Sequence, residues 1–192
     1  IYIPIEWKAR ELDSFIIFIK FALKNKFRII IGSKKTIFYN IKKKKENSGI
    51  FIYKGGLELN ICKLIDQKCA AHVIIDQEVG PITNQNFSYK VSHRFYNDSH
   101  KYIDGYFCIG KKVYNAAKIE LSNKIRGNIY LSGWPRVDLW KNSFKNFYKE
   151  ESKIIKKKYK KYIFFPSSFA ATNKNRLKYF VDKARGWPQT SK

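Results

Sequence analysis

Three short stretches bring together residue types that can do acid–base or anion chemistry. In Glu6-Trp7-Lys8-Ala9-Arg10-Glu11, two carboxylates and a guanidinium fall between an apolar, strand-like run and the start of a helical period. At the carboxyl end of a strand such a group can hold a polar substrate or tune a carboxylate. Acidic residues in a first helical turn also serve the helix alone. In Asp76-Gln77-Glu78-Val79-Gly80-Pro81, acid stands beside glycine at the end of an apolar run. A carboxylate there can act as general base toward a sugar or polyol hydroxyl, and Glu78 is the residue expected to do so. Asp and Gly also make turns for conformational reasons. In Leu131-Ser132-Gly133-Trp134-Pro135-Arg136-Val137-Asp138, glycine turns the chain and Pro135 opens a helix, where its missing N–H costs nothing. The free N–H groups of that helix start, with Arg136 beside them, would make an anion site suited to phosphate or carboxylate.

Other chemistries find less support. His93 and His100 flank an irregular stretch, 81–103, but their spacing matches no metal-binding pattern, and solvated histidines are expected. Ser167 and Ser168 lack the GxSxG context of a hydrolase nucleophile. Neither a GxGxxG fingerprint nor a P-loop is present, so neither a dinucleotide site nor a kinase-type nucleotide site is indicated. Cys62, Cys69 and Cys108 form no CxxC, cannot all pair, and read as reduced core thiols of a cytoplasmic protein.

The elements that must position these residues alternate. Strands are predicted over residues 1–5, 27–31, 50–53, 72–76, 106–109, 129–131 and 162–165, mostly as continuous apolar runs suited to strands buried on both faces. Helices are predicted over 10–24, 57–70 and 111–122, each with an apolar stripe at helical spacing. The rhythm implies a Rossmann-like, doubly wound α/β fold on a parallel sheet. Gly32, Gly55-Gly56, Gly80, Gly110 and Gly133 each fall just after a predicted strand. In a parallel sheet those positions share the carboxyl edge, where open α/β sheets bind ligands. Strand-to-helix turns need glycine too, but five in register point to a ligand cleft on that edge.

The 192 residues carry 39 Lys+Arg against 15 Asp+Glu, a formal charge of +24. Such a balance suits nucleic acid or an anionic membrane surface. Seven of the basic residues are arginine and 32 lysine. Arginine is the residue that reads phosphates and bases bidentately, so the make-up argues for compositional bias and against a nucleic-acid partner. Hydrophobic residues at 44% and aromatics at 17% suffice for a packed core. The most apolar stretch, residues 15–23, is interrupted by Lys20 and too short to span a bilayer.

The chain opens directly in an apolar run, contains no methionine, and closes soon after a helix-like segment. Both ends read as cut, so a piece of a longer protein is expected. Three parts are anticipated: a Rossmann-like domain over 1–142, a charged linker helix over 143–161, and the truncated start of a second α/β domain over 162–192. Lys42–Lys45 reads as a solvated loop.

Assembled, these motifs resemble the bacterial surface carbohydrate biosynthesis proteins related to GT-B glycosyltransferases. The resemblance rests on Pro4-Ile5-Glu6 leading into Arg10-Glu11-Leu12-Asp13, on Gly32-Ser33 and Lys54-Gly55, and on Asp76-Gln77-Glu78-Val79-Gly80. It also rests on Gly133-Trp134-Pro135-Arg136-Val137-Asp138 and on Ser168-Phe169 with Asn173. The chain departs from the family pattern at Trp134, where Asn is usual, at Gln77, where a second acid is usual, and at Pro166-Ser167-Ser168-Phe169, which replaces Asn-Thr-Asn-Phe.

The resemblance implies an acceptor-side domain followed by the start of a nucleotide-sugar-binding domain. The implied activity is metal-independent transfer of a sugar from a nucleotide-sugar donor to a glycan or lipid-linked acceptor, with no tightly bound cofactor. Glu78 or Glu11 would be the acceptor base, and Arg136 and the helix start at Pro135 would stabilise phosphate charge. Glu6, Arg10, Gly32, Ser33, Gly55, Gly80, Gly110, Gly133, Asp138 and Ser168 would line the substrates. Peripheral contact with an anionic membrane is compatible with this reading. A polyol-phosphate transferase or a nucleotide-sugar epimerase on the same architecture, and a basic nucleic-acid-binding module, are the alternatives.

Overall fold

The computed structural model describes residues 1–78, 87–95 and 98–164. Two compact units make up the chain, Ile1–Phe147 and Tyr148–Lys192.

The first unit is built on six parallel strands: β1 (Tyr2–Ile5), β2 (Ile30–Ser33), β3 (Ile50–Tyr53), β4 (Ala71–Ile75), β5 (Gly105–Cys108) and β6 (Asn128–Leu131). They lie in the order β2-β1-β3-β4-β5-β6. After β2 the chain crosses back over β1 to place β3 on its other side, and from there every strand adds outward. The direction of winding therefore reverses at β1 and β3, the switch point where doubly wound sheets of order 2-1-3-4-5 open a crevice outside their strand ends.

Apolar residues cover both faces of the sheet. On one, helix α1 (Lys8–Lys24) buries Phe15 and half-buries Phe18 and Ile19 over Ile3, Ile52, Val73 and Ile75. On the other, α2 (Lys34–Lys43), α3 (Leu59–Lys68), α4 (Phe87–Ser92) and α5 (Lys111–Leu121) bring Ile37, Ile41, Cys62, Ile65, Val91, Val113 and Ala117 onto Phe51, Ile74, Tyr106 and Ile129. All three cysteines are buried and free.

The sheet confirms a doubly wound parallel α/β architecture, with local corrections. The second strand lies three residues beyond its expected start, so Gly32 sits inside β2, paired with Pro4, instead of following it. Ser33 then caps α2, its side chain accepting the N–H of Thr36. Helix α2 was obscured by lysines at both of its ends, and Lys42 and Lys43 form its last turn where a loop is expected. The stretch read as irregular contains α4 and a 3-10 turn, Ser99–Tyr102. A one-turn helix, α6 (Pro135–Asp138), follows β6, and a 3-10 turn covers Asn142–Phe144.

In the second unit, helix α7 (Lys149–Tyr159) is shorter than the 143–161 helix that the charge pattern predicts. Tyr162, Ile163 and Phe164 belong to no strand. The remainder of the expected second domain, including Ser167 and Ser168, lies outside the described residues, as do Gly80 and Pro81. No described helix is long and apolar enough to cross a membrane.

Candidate functional site

Three of the expected residues meet at the switch point, around a lysine. Glu6 follows β1, Glu11 lies in the first turn of α1, Lys54 follows β3 and Glu78 follows β4. The Lys54 ammonium reaches Glu6 Oε2 at 2.7 Å, Glu11 Oε1 at 2.7 Å and Glu78 Oε1 at 2.9 Å. An ammonium has three protons to donate, and here each faces a carboxylate. Lys54 and Glu11 are buried, whereas Glu6 and Glu78 keep 26% and 34% of their side chains exposed. The lysine thus ties an interior carboxylate to two that face solvent.

A second ring of contacts fixes these groups. Glu11 Oε2 accepts the backbone N–H of Glu6 at 3.0 Å, which joins the end of β1 to the start of α1. Glu6 Oε1 accepts from Lys34 Nζ at 2.6 Å and from the Tyr53 hydroxyl at 2.7 Å. Arg10 Nη2 donates to Glu78 Oε1 at 3.0 Å and lies 3.6 Å from Glu11 Oε1. Burial works against an ionised Glu6, but the hydrogen bonds from Lys34, Lys54 and Tyr53 outweigh it and lower the carboxyl to about 2. Burial alone would lower the Lys54 ammonium; its hydrogen bonds to Glu11, Glu6 and Glu78 raise it instead. The Tyr53 phenol is raised by burial and then by Glu6.

Asp76 does different work from its neighbour Glu78. It is fully buried and grips Arg94 bidentately, Oδ2 to Nε at 3.0 Å and Oδ1 to Nη2 at 2.7 Å, while Tyr106 donates to Oδ2 at 2.6 Å. Its Oδ1 also accepts the backbone N–H of Glu78 at 2.9 Å. Asp76 is therefore a positioning residue that holds the Glu78 backbone. Arg94 closes the loop with a 3.4 Å bond to the carbonyl of Lys54.

The expected anion site takes another form. Helix α6 is a single turn, too short to sum a macrodipole. Arg136 instead donates from Nη2 to the Gln77 carbonyl at 2.6 Å and lies over the Trp134 ring, 5.2 Å from its centroid. Burial, then repulsion from Arg10, lowers its pKa. Asp138 pairs with Lys141 at 2.6 Å. Pro135 opens the α6 turn as its composition suggests.

The glycines divide by what surrounds them. A Cβ on Gly55 would fall 2.7 Å from Arg94 Nη2, and one on Gly56 would fall 2.2 Å from the Arg94 carbonyl oxygen. The space a side chain would need at those two positions is taken by the protein's own arginine. Gly32 and Gly133 offer ordinary contacts to Ile37 and Asp138. Gly110 has φ +142° at the N-cap of α5, with open space where a Cβ would stand.

A cleft of about 930 Å³ opens beside the cluster, walled by Glu6, Glu78, Lys34, Tyr53, Phe38 and Asn60. This is the upper part of the range for small-molecule sites. With Glu58 also in its lining, it presents three carboxylates, an ammonium and an amide beside two aromatic rings, a mixture suited to a molecule bearing many hydroxyls and an apolar face. Among the described residues, no group of three or more His, Cys, Asp or Glu is arranged to hold a metal ion; at the acidic cluster the centre is taken by Lys54. His93 stacks on Tyr89 with ring centroids 3.9 Å apart, and its Nδ1 lies 2.9 Å from the Tyr89 carbonyl oxygen.

Lys34, Tyr53 and Arg94 were not singled out from the sequence, and Lys54 entered only beside Gly55 in the family resemblance. The one local signal was a lysine directly before a glycine pair at a strand's end. The chain matches no protein-family model, no curated protein and no solved structure.

Proposed function

We propose that the switch-point cleft receives a sugar or polyol hydroxyl and that the protein is a GT-B-like transferase of surface glycan synthesis. In this reading a sugar moves from a nucleotide-sugar donor to a glycan or lipid-linked acceptor, and this domain serves the acceptor. The observation that carries the reading is the pair Glu6 and Glu78 facing one cleft, both bound to the buried Lys54. Carboxylates accept hydroxyl protons, Lys34 and Asn60 donate back, and Tyr53 and Phe38 offer ring surface to the sugar's C–H face.

Of the two glutamates put forward as base, Glu78 is the one with an accessible carboxylate. Its shortest contacts, to Lys54 and Arg10, both fall on Oε1. Oε2 would take the proton of the attacking hydroxyl, making that oxygen the better nucleophile toward the donor's anomeric carbon. Glu11, 2% exposed, holds Lys54 and the Glu6 backbone and acts as a positioning residue. Arg10 orients Glu78.

Transfer is to be measured with a panel of nucleotide-sugars and glycan acceptors, comparing the wild type with Glu78→Gln and Glu6→Gln. Loss of a base is worth roughly 10²–10⁴-fold in rate, so Glu78→Gln should lower kcat by that factor. Glu6→Gln should act mainly on the acceptor KM. Undiminished kcat in Glu78→Gln would overturn the assignment. A product that retains the phosphate on the acceptor, or an isomerised nucleotide-sugar, would replace sugar transfer with one of the other two chemistries.

A further inference from the structure

Helix α7 presents a physical problem that the described residues of its unit do not solve. None of its eleven residues is buried, and every described residue from 151 to 164 is exposed. Isolated helices shorter than about 12–15 residues are marginal in water even with favourable sequences. The exposed residues are nevertheless not uniformly polar. Ile154 (68% exposed), Ile155 and Tyr159 fall within one arc of the helix, which also holds Glu151 and Lys158, and Tyr162, Ile163 and Phe164 (78% exposed) continue directly beyond it. At 100° per residue, Lys149, Lys153, Lys156 and Lys157 gather on the opposite side. Glu150 and Glu151 sit in the first turn and Lys156, Lys157 and Lys158 in the last, the order the helix dipole favours.

We propose that α7 and the residues through Phe164 form an interfacial helix that lies on an anionic lipid surface. Its Ile154–Ile155–Tyr159 side would enter the headgroup boundary, with the lysines reaching out to anionic headgroups. The occupant follows from charge and from side-chain type. Seven lysines against two glutamates over 149–161 call for a negative partner, which excludes a second copy of this +24 chain. Aliphatic side chains with lysine, and no arginine, suit lipid tails and headgroups better than base or phosphate readout. Each lysine near such a surface strengthens binding by about fivefold. The inference does not depend on the transferase reading and stands or falls separately.

The test is co-sedimentation of the full 192-residue chain with vesicles of phosphatidylcholine alone and of phosphatidylcholine with about one-third phosphatidylglycerol. The expected result is binding to the anionic vesicles only, weakened about tenfold by Ile154→Ser with Ile155→Ser, a variant that keeps every charge. Far-UV circular dichroism should show helix gained on the anionic vesicles by the wild type and not by the variant. Because neither side chain is buried, the thermal transition of the sheet domain should not move. Equal binding by variant and wild type would reduce the effect to net charge and overturn the proposal. Equal binding to neutral vesicles, or selective capture by duplex DNA or an acidic protein with the vesicles left unbound, would overturn it too.

Discussion

Removing the ammonium of Lys54 leaves Glu11 as a buried carboxylate whose nearest remaining cation, Arg10, stands 3.6 Å away. Breaking a buried pair from one side typically costs about 3–5 kcal/mol, because the partner's charge stays desolvated. Lys54→Met should lower stability to urea by that amount, and adding Glu11→Gln should recover part of it, since the two sites share one interaction. Additive losses in the double variant would show that the pair is not coupled. Acid should also weaken the fold in two stages. Burial holds His72 down at about 4. Between pH 6.5 and about 4 the unfolded chain binds a proton that the folded chain refuses, so stability falls as pH falls through that window. Glu6, lowered to about 2, adds a second loss between about pH 4.5 and 2, where the unfolded carboxyl takes its proton first. In His72→Phe the first stage should vanish from a pH series of thermal melts while the second stays.

The elements were legible where a residue's role depended on its neighbours in sequence. The run 50–53 is β3 to the residue, and the stripes of α1 and α5 locate those helices to within about a turn. Helix α2 is hard to see in sequence because it is short and lysine-flanked, it buries fully only Ile37 and Ile41, and Phe38 joins the core only through the sheet beneath. The glycine pair at 55–56 was legible as special, but not for the right reason: the space is filled by Arg94, almost forty residues along the chain, whose partner Asp76 is set by packing and not by spacing. Gly56→Ala should therefore destabilise the domain by about 1–3 kcal/mol, the usual penalty for inserting atoms into packed space. Gly32→Ala, whose added carbon meets Ile37 at an ordinary 3.7 Å, should change stability far less. Comparable losses in the two variants would contradict the assigned packing. Likewise Glu6, Arg10 and Glu78 were visible as candidates, but their convergence on Lys54 depends on which strand ends lie together at the switch point.

At the scale of the whole molecule, the charge separates from the site. The chain has only 15 acidic residues, and four of them, Glu6, Glu11, Asp76 and Glu78, gather at the carboxyl ends of β1, β3 and β4. Such a concentration is the reverse of what a phosphate-binding groove requires. At about 150 mM salt, duplex DNA should bind no more tightly than the micromolar-to-weaker range of non-specific association. A submicromolar, steeply salt-dependent affinity would restore nucleic acid as the partner. The central claim, a sugar received between Glu6 and Glu78, is tested most directly by titrating acceptor sugars into the isotopically labelled chain and following amide shifts. The account predicts saturable shifts confined to Tyr53, Lys54, Gly56, Leu57 and Glu78, weakened in Glu6→Gln and retained in Glu78→Gln. Shifts undiminished in Glu6→Gln, or that fall on residues away from the switch point, would contradict it.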